Sequence, residues 1–121
     1  MKIIKIEDLR TLENPTPGQF YRPEFTLDKD GFKNLGGLVC ILVPGSQVPY
    51  HYHRNRESIL MPIMGEAVET VEGKETVVRP GDVLLIPAGE KHSITNRSDC
   101  EFRFMEFFTC PPMASDYVKA D

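Results

Sequence analysis

Between Leu38 and Phe108 the chain changes its conformational signal every few residues. Leu38 to Val43, Val48 to Arg54, Ser58 to Met64, Ala67 to Val71, Thr76 to Val78, Val83 to Ile86, His92 to Asn96 and Glu101 to Phe108 are short runs rich in β-branched and aromatic residues. Pro44-Gly45, Gly65, Glu72-Gly73-Lys74, Arg79-Pro80-Gly81-Asp82 and Ala88-Gly89-Glu90 separate them, and all are turn-forming combinations. Short strands with turns at such intervals predict an all-β sandwich or barrel. Helical periodicity extends no further than Ile6 to Leu12, and ten prolines argue against long helices.

Set on this framework are three histidines, and no others occur in the chain. His51 and His53 lie two apart in an extended segment, so both rings point to one side while Tyr50 and Tyr52 face away. His92 follows the turn at Gly89. Neutral imidazole is a versatile metal donor near pH 7, and a strand pair plus a third ring suits a divalent transition metal.

The two segments that carry these histidines resemble the paired motifs of the cupin superfamily. The first family pattern is a glycine, five residues, H-x-H, three or four residues, a glutamate, about six residues and a glycine; Gly45 to Gly65 follows it with one irregularity. The second, G-x5-P-x-G-x2-H-x3-N, is matched by Gly81, Pro87, Gly89, His92 and Asn96. Fifteen residues, Glu66 to Pro80, separate the motifs, which together span 52 of 121 residues and resemble those of small microbial cupins. The resemblance implies a double-stranded β-helix, or jelly-roll, barrel over 1–121 as a single cupin domain, with an N-terminal strand and a C-terminal tail outside the motifs.

It also implies a metal held by His51, His53, Glu57 and His92, an N3O set suited to Fe, Mn, Ni, Cu or Zn with positions left for substrate. The glutamate is the irregularity. Counted from His53, Glu57 stands in the ligand position; counted back from Gly65, it lies one residue early and Ser58 occupies that place. Glu57 is preferred as the carboxylate in reach, with a turn or bulge absorbing the extra residue. The glycines and Pro87 shape turns: Gly81 needs permissive angles after Pro80, and Gly89 lets the chain swing before His92. Asn96 reads first as a hydrogen-bonding residue at a strand end.

In the last run, Glu106 shares a face with Phe102, Phe104 and Phe108, which makes it a candidate catalytic acid or base if that face is interior. Tyr50, Tyr52, Arg54 and Arg56 are the other polar candidates near the first motif, and Ile59, Met61 and Ile63 are candidate pocket linings. Apolar residues on both faces of 101–108, with the aromatic stretch Phe20 to Phe25, predict a homodimer, as small cupins commonly form.

The formal charge of -4 provides no basic stripe for nucleic acid, and no apolar run approaches a membrane span. The opening Met1 to Asp8 reads as a strand without the features of a secretory signal, so a cytoplasmic location is expected. Cys40 reads as a buried reduced thiol, and Glu66, Glu69, Glu72 and Glu75 as a solvated face. The functional expectation is a metal-dependent enzyme acting on a small oxygen-rich molecule by dioxygenase, isomerase, decarboxylase or lyase chemistry. The alternative is a non-catalytic module binding a metal, sugar or small acid.

Overall fold

The computed structural model describes residues 1–5, 8 and 23–121. Among the described residues, nine strands form two antiparallel sheets: β1 Leu35–Leu42, β2 Gln47–Tyr52, β3 Ser58–Met64, β4 Ala67–Val71, β5 Lys74–Val78, β6 Leu84–Ile86, β7 His92–Thr95, β8 Phe102–Thr109 and β9 Val118–Lys119. One sheet has the order β1-β8-β3-β6 and the other β5-β4-β7-β2-β9. This is the jelly-roll arrangement expected from the sequence, and its first eight strands fall on the eight runs read there. The ninth follows a short 3₁₀ turn, Met113–Asp116, and pairs with β2 through His51↔Lys119 and Tyr52↔Val118.

Alternation builds the core. Leu38, Cys40 and Leu42 of β1 stand beside Phe102, Phe104 and Phe108 of the neighbouring β8 on the inner face of one sheet, and Leu60, Val48, Ala67, Val78, Ile86, Ile94 and Met113 complete the cluster. Gly36 pairs with Phe108, and a Cβ at Gly36 would lie 2.2 Å from the Phe108 ring, so the ring occupies the space any side chain there would need. That ring in turn carries the Arg56 guanidinium on its face, 4.0 Å from the centroid.

Two irregularities interrupt the alternation. β2 against β7 pairs Val48↔Ile94 and then His51↔His92, which inserts one extra residue in β2. Val48 and His51, three apart, therefore both face inward. β3 against β8 shifts between Pro62 and Met64, beyond the inward Ser58, Leu60 and Pro62.

Several expectations fall elsewhere. Met1 to Lys5 forms no strand, and the helical stretch Ile6 to Leu12 lies outside the described residues apart from Asp8. Of Phe20 to Phe25, the described part is used within its own chain: Val39 N–H donates to the Pro23 carbonyl, Phe25 N–H donates to Gly37, and the Phe25 ring stands edge-on to Phe107 at 6.0 Å. Asn96 is fully buried, with Nδ2 donating to the carbonyls of Leu42 and Cys100, and so ties two strand ends together. Cys40 is buried in the core, whereas Cys100 and Cys110 are exposed.

Candidate metal centre

The register pair His51↔His92 places two imidazoles across β2 and β7 with ring centroids 4.4 Å apart, and His53 stands 4.9 Å from His51. All three are buried, and one ring nitrogen from each lies within 4.8 Å of the others. The β2 bulge accounts for the aim of His51, since an unbroken alternation from Val48 would turn it outward.

Hydrogen bonds decide which nitrogen each ring presents. Nδ1 of His51 lies 2.6 Å from the Pro49 carbonyl, inside the bulge, and Nδ1 of His53 meets the Asp116 carbonyl. A carbonyl only accepts, so in the neutral rings Nδ1 carries the proton and Nε2 the lone pair. Nδ1 of His92 lies 2.6 Å from Oε1 of Glu69, while its Nε2 is buried without a hydrogen-bond partner. Burial, aided by the nearby Arg56 charge, holds His53 below its ordinary pKa of 6.5, against the opposing pull of the Asp116 carbonyl. Both lowering influences favour the neutral form of the ring, which is the form that ligates a metal.

These features fit a divalent transition metal. Three buried imidazoles whose Nδ1 atoms each meet an oxygen, one with an orphaned buried Nε2, form an N3 donor set of the kind that holds Zn, Fe, Mn, Ni or Cu.

Glu57 is not brought to this group. Its side chain is exposed, its N–H donates to Thr109 Oγ1, and it lines an outer groove with Ile59, Leu85 and Phe107. The cause is β3 register: Ser58, Leu60 and Pro62 face inward, so the residue before Ser58 faces out. The β3 bulge lies farther along, beyond Pro62, and so does not turn Glu57 inward.

The carboxylate facing the cavity from this side is Glu106 on β8, which is buried with Phe102, Phe104 and Phe108. Arg56 forms a buried ion pair with it through Nη2, and Ser58 Oγ donates to the same Oε2 at 2.8 Å. Arg56 also reaches Ser58 Oγ at 3.2 Å and the Met113 carbonyl at 3.2 Å. Of the other polar candidates, Arg54 is exposed, and Tyr50 and Tyr52 do not line the cavity. Ile59 and Met61 sit on the outer face.

The cavity beside the three rings measures about 20 Å³, room for roughly one water. Tyr117 narrows it by stacking on His51 at 4.6 Å with the rings 16° apart. The segment carrying Tyr117 is pinned at both ends. The Asp116 carboxylate accepts the N–H groups of Arg54, Asn55 and Arg56 at 2.8 to 3.0 Å, and Ala120 N–H donates to the Tyr50 carbonyl. Those three bonds hold Asp116 below the usual carboxylate range.

The chain belongs to the cupin family: the family model described as "Cupin domain" matches residues 38–108. A curated relative named oxalate-binding protein, from Thermotoga maritima, is 36% identical over 81 residues, covering 65% of this chain and 67% of that one. Among solved structures, a sugar phosphate isomerase of the cupin superfamily from Silicibacter pomeroyi aligns with a TM-score of 0.70 at 28% identity, covering 87% of this chain and 75% of that one. A protein with a double-stranded β-helix domain from Klebsiella pneumoniae aligns at 0.80 and 20% identity over 100% of this chain and 99% of its own, a likeness of fold.

The sequence reading missed Glu69, Asp116 and Tyr117. The solvated face expected for Glu69 is not found: it alternates with Ala67 and Val71 on β4 and is 5% exposed. That alternation was the available signal. Asp116 and Tyr117 carry none, since they reach the site through a 3₁₀ turn and a two-residue strand.

Proposed function

We propose that this protein is a mononuclear-metal cupin enzyme acting on a small, oxygen-rich anion able to offer two oxygens to one metal, such as a dicarboxylate or a hydroxy-keto acid. The observation that carries the reading is the convergence of three buried histidines whose Nδ1 atoms are each engaged by an oxygen. His51, His53 and His92 would hold the metal. A bound divalent ion supplies Lewis-acid polarisation of substrate oxygens.

The chain's own residues do the rest. Imidazole donors carry no negative charge of their own, so a divalent ion held by them keeps most of its charge for an anionic substrate. The name of the Thermotoga maritima relative supports a small dicarboxylate. Glu106 stands on the cavity wall as proton donor or acceptor, oriented by Arg56 and Ser58. Leu60, Phe104, Val48 and Ile94 exclude bulk water, and Tyr117 covers the histidines until substrate displaces it.

A second reading, a module that holds such an anion without turning it over, is favoured by one observation: the Glu106 carboxylate is engaged in an ion pair. Calorimetry with oxalate and small 2-oxo and 2-hydroxy acids on zinc- and manganese-loaded protein, followed by product analysis, separates the two. Binding with conversion supports the enzyme; binding without conversion supports the module; no binding by metal-loaded protein overturns both.

The homodimer belongs here as well. On the outer face of the β1-containing sheet, Leu85, Ile59 and Phe107 stand in one cross-strand row and Met61 pairs with Met105 beside it. Ile59, Met61 and Leu85 are exposed, a contiguous apolar surface suited to a second copy.

A further inference from the structure

Among the described residues, two buried side-chain atoms have no hydrogen-bond partner, and they belong to one pair: Nε2 of His92 and Oε2 of Glu69. The first is the nitrogen assigned to the metal. The second sits on a carboxylate whose other oxygen lies 2.6 Å from Nδ1 of the same ring. The register explains their meeting. Glu69 pairs with Ile94 and Val71 with His92, so Glu69 and His92 are diagonal neighbours on the inward face of β4 and β7.

Packing alone gives no reason for a carboxylate there. Its neighbours on that face of β4 are Ala67 and Val71, and burying a charge with one oxygen unpartnered is costly. Meanwhile Glu57 lies outside the histidine group, and the inward position beside it is the neutral Ser58.

We propose that Glu69 is a positioning residue of the metal centre, supplying from behind His92 the negative charge that, among the described residues, no carboxylate supplies directly to the three-histidine group. Oε1 accepts Nδ1–H, which fixes the tautomer with the Nε2 lone pair in the cavity, and the carboxylate charge raises the donor strength of that nitrogen. Carboxylate–histidine–metal relays elsewhere shift metal affinity by about 10- to 100-fold. The inference rests on the three histidines being a metal centre.

The test is zinc affinity, measured by chelator competition on purified full-length protein, for Glu69→Gln and Glu69→Ala. Both variants should bind zinc about 10- to 100-fold more weakly, with Glu69→Ala at the weaker end because it also loses the acceptor. The ¹⁵N shifts of His92 should show Nδ1–H retained in Glu69→Gln and a mixture of tautomers in Glu69→Ala. The metal-free Glu69→Gln should unfold at or above the wild-type temperature, because a costly buried charge has gone while the acceptor for Nδ1–H remains; Glu69→Ala, which leaves that N–H unpaired beside a cavity, should unfold lower.

Unchanged zinc affinity in Glu69→Gln overturns the proposal, as does a metal-free Glu69→Gln that is markedly less stable, which would mark a purely structural role. His92→Ala, measured alongside, keeps the two readings distinct. If it too binds zinc as tightly as wild type, the metal centre itself is wrong.

Discussion

Ser58 on β3 donates its hydroxyl to Oε2 of Glu106 on β8 across 2.8 Å, so on this side of the cavity the carboxylate comes from β8 and β3 contributes a hydroxyl. Glu57, one residue earlier on β3, is exposed. Glu57→Ala should therefore leave metal content unchanged by elemental analysis and shift stability by no more than about 0.5 kcal/mol. Loss of most of the metal in this variant would restore Glu57 to the site.

Glu106 should behave differently. Glu106→Ala leaves the Arg56 guanidinium buried and unpaired, which costs on the order of 3–5 kcal/mol in denaturant unfolding. Glu106→Gln keeps an acceptor for Ser58 and Arg56 and should cost less. With a substrate in hand it should retain metal and lose turnover, and undiminished turnover would remove Glu106 from the mechanism.

The contrast between these two glutamates shows what was legible beforehand. The strands could be read from their short runs because alternation and turn residues are local, and the three histidines from their spacing. The face of Glu57 was not legible, since a one-residue register difference reverses a side chain and the two motif anchors disagreed by one residue. For Glu106 the shared face with Phe102, Phe104 and Phe108 left two options, the barrel interior or a covered outer face, and only the closed barrel shows it buried. Its pairing with Arg56 spans 50 residues of sequence and follows only from the barrel closing. Tyr117 and Asp116 depend on the same closure.

The strap from Met113 to Ala120 should be coupled to the metal centre, because the Asp116 carbonyl holds His53 and Tyr117 stacks on His51. Asp116→Ala removes the acceptor of three backbone N–H groups and should speed metal loss to a chelator several-fold. Tyr117→Ala should admit small ligands faster. Because Asp116 is held below its ordinary 3.8, its contribution is present above that value and is lost as pH falls through the lowered folded value. Hydrogen exchange at Arg54, Asn55 and Arg56 reads this directly, and protection insensitive to Asp116→Ala would contradict the coupling.

Assembly follows from the row Leu85, Ile59 and Phe107. Light scattering at micromolar concentration should give the mass of two chains, and Leu85→Glu combined with Met61→Lys should give that of one. A wild-type protein that stays monomeric across a dilution series would contradict the dimer.

The metal centre is tested most directly by the metal content of wild-type protein beside His51→Ala, His53→Ala and His92→Ala, all purified without added metal and then reconstituted with one equivalent of zinc. Wild type should retain close to one equivalent after desalting. Each variant, lacking one of three nitrogen donors, should retain little while remaining folded by circular dichroism. Stoichiometric zinc in all three variants, or none in wild type, would contradict the assignment of these histidines to one metal.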